Sequence, residues 1–340
     1  MTKGTKTVLI IAIICIALSV LLFGVGAMLG GTRLSEGVDT EIFGINVHMG
    51  KDGVYTEGTA DLESTGYETT AEFTEEIDAI EVNWTSGEIK FEFGGENITV
   101  RESSDRIIDD ENVMVCSIEN GTLKIHYHAP RVNIVSFGGD NKDLTVTIPE
   151  SLAGNIKHID IDSTSADITI GGFELDGLSI SSTSGSAFVT ELSAGDFVFG
   201  ATSGDLTLEN CSFGFFSAQT TSGCMYVTDV SAGYAGFDGT SGDVIAKNCS
   251  FGKAEAESTS GNISMSLNSV PSEFDADTTS GDVELFLPEN AEFELEFDRT
   301  SGELELDFAA VKHGDEYTVG NGRNEINIET TSGDAYIKVK

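Results

Sequence analysis

The sequence predicts an all-β protein built as a β-solenoid, a single-stranded β-helix with coils of about nineteen residues, preceded by one N-terminal transmembrane helix. Three observations support this fold class. The tripeptide Thr-Ser-Gly recurs at a fixed spacing, apolar and polar residues alternate between its copies, and an apolar segment without charges lies near the N-terminus. A period near twenty residues is typical of solenoids, in which each repeat packs against its neighbours.

The repeat is defined by the positions of this tripeptide. Five copies follow one another at intervals of 19 residues and begin at Thr183, Thr202, Thr221, Thr240 and Thr259. Further copies begin at Thr85, Thr279, Thr300 and Thr331, and Thr164-Ser165-Ala166 is a variant. Glycine at the third position of the tripeptide (Gly185, Gly204, Gly223) predicts a sharp corner with positive φ. The Thr and Ser beside it are expected to hydrogen-bond to the turn and to adjacent coils.

Between the corners, apolar residues occur at every second position, as in strands with one buried face. One pair directly follows the tripeptide, as in Leu206/Leu208, and a second pair comes later in the unit, as in Phe216/Ala218. Each unit is therefore predicted to form two or three short strands. Eleven residues after each Thr, large and small residues alternate from coil to coil: Ala194, Phe213, Ala232, Phe251, Val270. This alternation predicts core positions, since it fills a narrow interior without overpacking.

The five cysteines are not predicted to form disulfides. Cys15 lies in the apolar N-terminal segment, and Cys116, Cys211, Cys224 and Cys249 lack zinc-site spacing. Cys211 and Cys249 occupy equivalent positions two coils apart, about 9–10 Å, which is too far for a disulfide.

A polar residue follows each corner glycine, in the order Ser186, Asp205, Cys224, Asp243, Asn262, Asp282, Glu303. From Ser186 to Asp282, no acid directly follows an acid. Repulsion between in-register carboxylates accounts for this alternation. Calcium bound by these acidic residues is the alternative interpretation.

The composition excludes some partners. The formal net charge is -39, from 57 acidic and 18 basic residues. A nucleic-acid partner is therefore not expected, because phosphate contacts require clustered Lys and Arg. Docking to anionic lipid head groups is disfavoured for the same reason.

Residues 8–29 are predicted to be the transmembrane anchor, because about 20 apolar residues span a bilayer as a helix. Lys3 and Lys6 precede this segment and acidic residues follow it, so residues 1–7 are expected in the cytoplasm and the C-terminal domain outside the cell. A cleaved signal peptide ending near Ala27 is the alternative.

The remaining chain is predicted to comprise a membrane-proximal stalk (30–76), an irregular β cap (77–163) and the regular solenoid (164–340). Within the cap, Asn120-Gly121 predicts a hairpin turn between 112–118 and 122–128. The last strand, 335–339, is expected to be an edge, where Lys338 and Lys340 would oppose association.

Residues 77–340 resemble a bacterial "putative adhesin" family of β-strand-repeat domains. The resemblance rests on Leu-Thr-Val-Thr-Ile-Pro (144–149), Asn-Gly-Thr-Leu (120–123) and the serial Thr-Ser-Gly-Asp coils. It implies a β-strand-repeat domain of unknown function, often tethered by one N-terminal span. It assigns no binding residues.

The motifs that carry chemistry do not single out a catalytic, cofactor-binding or metal site, and no cofactor is predicted. His126 and His128 share a strand face and could bind a metal, but no third ligand is evident. A polysaccharide-active β-helix enzyme would use paired carboxylates, and a lyase would add Arg or Lys. Residues 164–310 contain only Lys247, Lys253 and Arg299 as basic residues, so an enzyme is not expected.

Two functional hypotheses follow. In the first, the solenoid is a surface scaffold of the adhesin type that binds an unknown surface glycan or protein on another surface. In the second, it acts in cis, as an envelope-stress or assembly partner of proteins in its own membrane.

Overall fold

The computed structural model describes residues 38–42, 45–49, 67–105, 108, 113–127, 142–314 and 316–340. The chain divides into two compact units. In the first unit, the described part is the antiparallel hairpin of β1 (Val38–Ile42) and β2 (Ile45–Met49). The predicted span at 8–29 lies outside the described residues. Among those that are described, no helix is long and apolar enough to cross a membrane.

In its described residues, the second unit contains 26 strands and one short helix. Its N-terminal part comprises β3 (Tyr67–Phe73), β4 (Ala79–Trp84), β5 (Glu88–Phe93), β6 (Ile98–Ser104), β7 (Val115–Glu119), β8 (Thr122–His126), β9 (Lys142–Ile148) and the helix α1 (Glu150–Ala153). The central part comprises β10 (His158–Ser163), β11 (Asp167–Gly171), β12 (Glu174–Ser182), β13 (Ala187–Thr190), β14 (Ser193–Ala201), β15 (Leu206–Glu209), β16 (Ser212–Thr220), β17 (Met225–Thr228), β18 (Ser231–Gly239), β19 (Val244–Ser258) and β20 (Ile263–Leu267). The C-terminal part comprises β21 (Glu273–Thr278), β22 (Val283–Leu287), β23 (Phe293–Arg299), β24 (Leu304–Leu306), β25 (Ala310–His313), β26 (Glu316–Val319), β27 (Glu325–Thr330) and β28 (Ala335–Val339).

These strands form a β-solenoid-like stack, which confirms the predicted all-β class. The strands that follow the corner glycines pair in parallel with a shift of 19 residues, as in Leu206 with Met225 and Met225 with Val244. The strands of the other sheet pair in the same way, as in Phe216 with Ala235. Each coil thus contributes one strand to each of two sheets. We call the sheet after the corner glycines the front sheet and the other one the back sheet.

The core lies between the two sheets and is filled by the alternating apolar residues. Ala194, Phe213, Ala232 and Phe251 are buried neighbours along the back sheet, as predicted, whereas Val270 is half-buried. The ring of Phe213 stacks on that of Phe197, with centroids 5.1 Å apart. Large rings from one coil therefore occupy the space that alanines leave in the next.

The corner glycines are required for a different reason from the one predicted. None of Gly185, Gly204 and Gly223 has a positive φ, so that prediction was wrong for the regular coils, whereas the equivalent Gly87 and Gly302 have φ of 101° and 142°. A Cβ at Gly204 would lie 2.0 Å from the carbonyl oxygen of Gly185, and one at Gly223 would lie equally close to that of Gly204. At these two positions only glycine permits the backbone approach between coils, whereas Ala166 occupies the equivalent corner of an earlier coil.

Hydrogen bonds hold the corner in place. The Ser184 N–H donates to the carbonyl of Thr164 in the preceding coil (2.9 Å), which confirms the expected link between coils. Inside five of the described corners, the N–H of the glycine donates to a hydroxyl three residues earlier, as from Gly223 to the buried Thr220 Oγ1 (2.9 Å). These hydroxyls precede the tripeptide and were not recognised in the sequence. Each satisfies a backbone donor that burial would otherwise leave unpaired.

Positive φ occurs instead at the opposite corner of the coil. Asn210, Asp229 and Asn248 have φ of 55°, 55° and 54° and occupy equivalent positions. Asn and Asp tolerate the left-handed region better than other residues with a side chain. Glu191, with φ of 51°, occupies the same corner in an earlier coil.

At the N-terminal end, the first coil lies inside the stack. The strand β4 pairs in parallel with β10 on one side and with β8, from later in the chain, on the other. Likewise, β5 lies between β11 and β9. Antiparallel strands complete this end: β6 on β9, β3 on β6, and β7 on β8 through the predicted Asn120-Gly121 turn, in which both residues have positive φ. Two regular coils therefore come from 77–163, and β3 comes from the range predicted as stalk.

The C-terminal end is arranged in the same way. The strand β28 pairs with β22 on one side and with β24 on the other, and β27 lies between β21 and β23. The prediction that 335–339 forms an edge was therefore wrong. The edge was predicted because the last Thr-Ser-Gly copy comes last in the sequence. In the fold, the chain passes through the hairpin β25–β26 and its last coil then lies between two earlier coils.

A buried ion pair joins the strands of the N-terminal end. The Lys142 Nζ lies 2.5 Å from Glu102 Oε1, and both side chains are almost completely buried. The same Nζ donates to the Tyr127 carbonyl (2.6 Å), and Glu102 Oε2 accepts the N–H of Met114 (3.0 Å). The indole N–H of Trp84 donates to the Lys142 carbonyl (2.8 Å). One cluster thus connects β4, β6 and β9 with the ends of β7 and β8.

We expect Gly204→Ala to lower the free energy of unfolding by about 2–3 kcal/mol, as overpacking does, because its Cβ has no space beside Gly185. Gly200→Ala is the matched control, since a Cβ there meets no atom within 4 Å and its φ is not positive. Its effect should stay within about 1 kcal/mol. Urea unfolding followed by circular dichroism measures both values. Equal effects of the two substitutions would contradict this account of the corner.

We expect Lys142→Met to lower the free energy of unfolding by about 3–5 kcal/mol, because it leaves the Glu102 carboxylate buried without a counter-charge. Adding Glu102→Gln removes this charge and keeps an acceptor for the Met114 N–H. The double variant should therefore recover about 2 kcal/mol. A double variant no more stable than Lys142→Met alone, in the same urea experiment, would show that charge pairing is not what the cluster contributes.

Candidate functional site

A dense concentration of negative charge lies on the outer surface of the back sheet, between β18 and β23. Parallel pairing aligns Asp238, Glu257, Asp277, Glu329 and Asp298 in one row across five strands. A second row, two residues earlier in each strand, contains Glu255, Asp275, Asn327 and Glu296. We call these two rows the acidic face.

The two rows flank a shallow cleft of about 480 Å³. Its lining consists of eight residues of the acidic face together with Ala276 and Ile328, and it includes no basic side chain. Lys253, at the side of this surface, forms an ion pair with Glu273. The cleft therefore offers a surface of hydrogen-bond acceptors with negative charge.

The acidic face is electrostatically unfavourable in the absence of a partner. Neighbouring strands are ~4.8 Å apart, and like charges directly opposite each other destabilise a sheet. Partial burial raises the pKa of Glu257, and the neighbouring Asp238, Asp277 and Glu255 raise it further. A bound cationic group would relieve this repulsion.

Two carboxyl groups near the N-terminal end of the back sheet also have raised pKa values. Burial raises the pKa of both Asp160 and Asp162, and the carboxylate of Glu81 on the paired strand β4 adds to the increase. Negative charge is therefore crowded at both ends of this sheet.

The front sheet has a different outer surface. Here the residues that follow the corner glycines form a row across the strands. In several coils, the side chain of such a residue accepts a hydrogen bond from the backbone N–H of its neighbour in the row. Asp205 Oδ1 accepts from Cys224 (2.7 Å), and Asp243 Oδ1 accepts from Asn262 (2.8 Å). In the same row, Asp334 lies between Asp282 and Glu303 because its coil is inserted there. The predicted alternation of acids therefore ends at the inserted coil.

Two aromatic side chains lie exposed beside this row. Phe188 and Tyr226 are 37% and 41% exposed, and their strands are separated by the single strand that carries Thr207. The back sheet also has an exposed aromatic residue, Phe215, whose ring stacks on Tyr234 at 5.1 Å.

The histidines and cysteines do not form a site within the described part of the chain. His126 lies half-buried on β8, and His128 lies outside the described residues. The thiols of Cys116, Cys211, Cys224 and Cys249 are free, and burial together with Glu102 raises the pKa of Cys116 to about 11. Among the described residues, no group of three or more His, Cys, Asp or Glu side chains is arranged to hold a metal ion.

No site residues were predicted from the sequence, and the acidic face was not recognised there. A local signal was present, since Glu255/Glu257, Asp275/Asp277, Glu296/Asp298 and Glu325/Glu329 are acidic at outward positions of their strands. The order of these residues across the back sheet cannot be read from the sequence, because only the inserted coil places Glu329 between Asp277 and Asp298.

A protein-family model described as Toastrack DUF4097 matches residues 77–338. A structure from Parabacteroides merdae, called a "putative adhesin", is 10% identical with a TM-score of 0.50, and the match covers 82% of this chain and 97% of that chain. A "putative adhesin" from Bacteroides fragilis is 13% identical (TM-score 0.43, coverage 80% and 97%). A "putative lipid binding protein" from Parabacteroides distasonis is 16% identical (TM-score 0.43, coverage 81% and 98%). At 10% identity, the likeness to the structure from Parabacteroides merdae shows the fold alone. No curated protein matches this chain by sequence.

We expect Glu257→Gln to raise the free energy of unfolding at pH 7 by about 0.5 kcal/mol, because it removes like-charge contacts across strands. Since the pKa of Glu257 is raised in the folded state, the stabilisation from its protonated form is complete below the unfolded pKa. That stabilisation is lost as the pH rises through the folded pKa. The advantage of the variant should therefore shrink as the pH falls from 7 to about 4. Urea unfolding at both pH values measures it, with exposed Glu174→Gln as the control. An advantage that is independent of pH would contradict the electrostatic account.

Proposed function

Because this chain belongs to the Toastrack DUF4097 family, we propose that it is a non-catalytic binding scaffold of the adhesin type, held at the outer side of a membrane by residues 8–29. In this proposal the rigid solenoid presents its outer surfaces to a partner on another surface. The acidic face is the surface that contacts a positively charged glycan or protein.

The acidic face is the observation that carries the proposal. Backbone hydrogen bonds hold its strands at the sheet spacing, so the rows of carboxylates remain close together even when their side chains rotate. A sheet of this kind would be more stable with mixed charges on its surface. The repulsion between carboxylates is offset when the face binds cationic groups. Complementary charge also accelerates the encounter with such a partner.

The same surface supports binding rather than catalysis. A glycosidase uses two carboxyl groups whose environments separate their pKa values, so that one is an acid and the other a base. The cleft instead presents a lattice of similar carboxylates, all on one side and open to solvent. A lyase would also use Arg or Lys, and the cleft lining includes neither.

The proposed location rests on the N-terminal sequence. The uncharged segment at 8–29 has the length of a membrane span, and Lys3 and Lys6 favour a cytoplasmic N-terminus. The solenoid would then face outward. The name of the similar structure from Parabacteroides merdae, a "putative adhesin", is in line with this role.

The test uses the full-length chain in lipid nanodiscs and measures binding to foreign surface glycans, matrix proteins and envelopes of the source cell. We expect saturable binding to a component with positive charge. Glu257→Gln combined with Asp277→Asn and Glu329→Gln should weaken it at least tenfold, because it neutralises the centre of the acidic face.

The control variant combines Glu150→Gln, Glu174→Gln and Glu191→Gln, which change the net charge equally at exposed positions elsewhere. It should bind as the unaltered protein does. Equal weakening by both variants would show diffuse electrostatic attraction and contradict a binding face. Binding only to the cell's own envelope would replace the adhesin proposal with the alternative of a partner in cis.

A further inference from the structure

The outer surface of the front sheet carries a second feature that the proposed function does not use. Phe188, Thr207, Tyr226 and Ile245 are paired in register on four successive strands, β13, β15, β17 and β19. Phe188 and Tyr226 are exposed, and Thr207 and Ile245 are half-buried. We call these four residues the aromatic stripe. It runs along the solenoid axis for about 14 Å, three strand spacings.

We propose that the aromatic stripe binds an extended, β-linked polysaccharide that carries free amino groups, with its sugar rings on Phe188 and Tyr226. This inference goes beyond the proposed function, because it assigns a different surface and a class of ligand. The flat faces of a pyranose ring are rows of C–H groups, which stack on aromatic rings. Two exposed rings at a fixed separation therefore fit a polymer with a regular repeat.

The separation of the rings fits such a polymer. Phe188 and Tyr226 are two coils apart, ~9.6 Å along the axis. A sugar unit of an extended β-linked chain is about as long as one strand spacing, ~4.8 Å, so every second sugar would meet an aromatic ring. A peptide in β conformation presents a side chain on one face about every 6.7 Å and would lose register with the two rings.

The rows beside the stripe supply hydrogen-bond acceptors. On one side lies the row that contains Asp205 and Asp243, in which one oxygen of each carboxylate accepts a backbone N–H. On the other side, Glu209 follows Thr207 by two residues on β15. Carboxylates accept hydrogen bonds and need donors, which sugar hydroxyls and ammonium groups provide.

This acceptor-rich surface distinguishes the sugar from a proline-rich peptide. A polyproline II helix repeats about every 9.3 Å and would match the two rings, but proline has no N–H to donate. Charge selects among polysaccharides in the same way. Asp205, Asp243 and Glu209 attract protonated amines, and a chain of net charge -39 repels polymers of uronic acids.

The test measures binding of the full-length chain in lipid nanodiscs to a β-1,4-linked glucosamine hexamer at physiological salt. Phe188→Ala combined with Tyr226→Ala should weaken binding at least tenfold and leave the circular dichroism spectrum unchanged. The matched control is Phe215→Ala on the back sheet, where the ring is equally exposed at 40%. It should bind as the unaltered protein does.

A second variant separates charge from structure. Asp205→Asn with Asp243→Asn keeps an acceptor for the next coil, as Asn262 Oδ1 does for Asp282 (3.0 Å), and removes two charges. It should weaken binding of the glucosamine hexamer and leave binding of the uncharged glucose hexamer unchanged.

Three outcomes would overturn the inference. One is unchanged binding by the Phe188/Tyr226 variant, and another is an equal loss in Phe215→Ala. The third is tighter binding of a basic proline-rich peptide than of the hexamer. If the hexamer binding is instead lost in the Glu257/Asp277/Glu329 variant, the aromatic stripe is excluded and the acidic face of the proposed function remains supported.

Discussion

The close approach of backbones at the Thr-Ser-Gly corner is the constraint on which the rest of the structure depends. Each corner glycine lies so near the carbonyl of its equivalent in the preceding coil that no side-chain atom fits between them. Hydrogen bonds from the serine N–H groups fix this distance. Because every coil begins from the same point, all later positions fall into register, and inward residues meet inward residues along the whole stack.

The stack of coils could be predicted from the sequence because its cause is local and repeated. The tripeptide spacing and the period of two identify the strands and the buried residues, and Ala194, Phe213 and Ala232 show even how their sizes alternate. The reason for glycine at the corner could not be predicted, because it depends on a contact with a residue that is 19 positions earlier in the sequence and adjacent in space. The acidic face could not be predicted for a related reason, because Glu329 lies beside Asp298 only as a result of the inserted coil.

The two outer surfaces are chemically independent of each other, although they share one core. A single coil sends Ala235 and Phe237 inward from the back sheet and Val244 and Ala246 inward from the front sheet. Residues at alternate positions, such as Asp238 and Ile245, lie on the outer side of each sheet and do not fill the core. One sheet can therefore accumulate carboxylates while the other carries aromatic and hydroxyl groups, without any change in the interior.

The inserted coils at the two ends determine how proteins of this architecture can change in length. Each end is closed by a coil that passes between two neighbours and by antiparallel strands on the outermost coil. Sequence added after β28 therefore follows a strand that is already paired on both sides. A 19-residue unit duplicated between two corner glycines, in contrast, keeps the register of the stack, and a duplicated pair of units also keeps the alternation of large and small core residues. Such genes would grow and shrink from the middle, and the two closed ends would be inherited together.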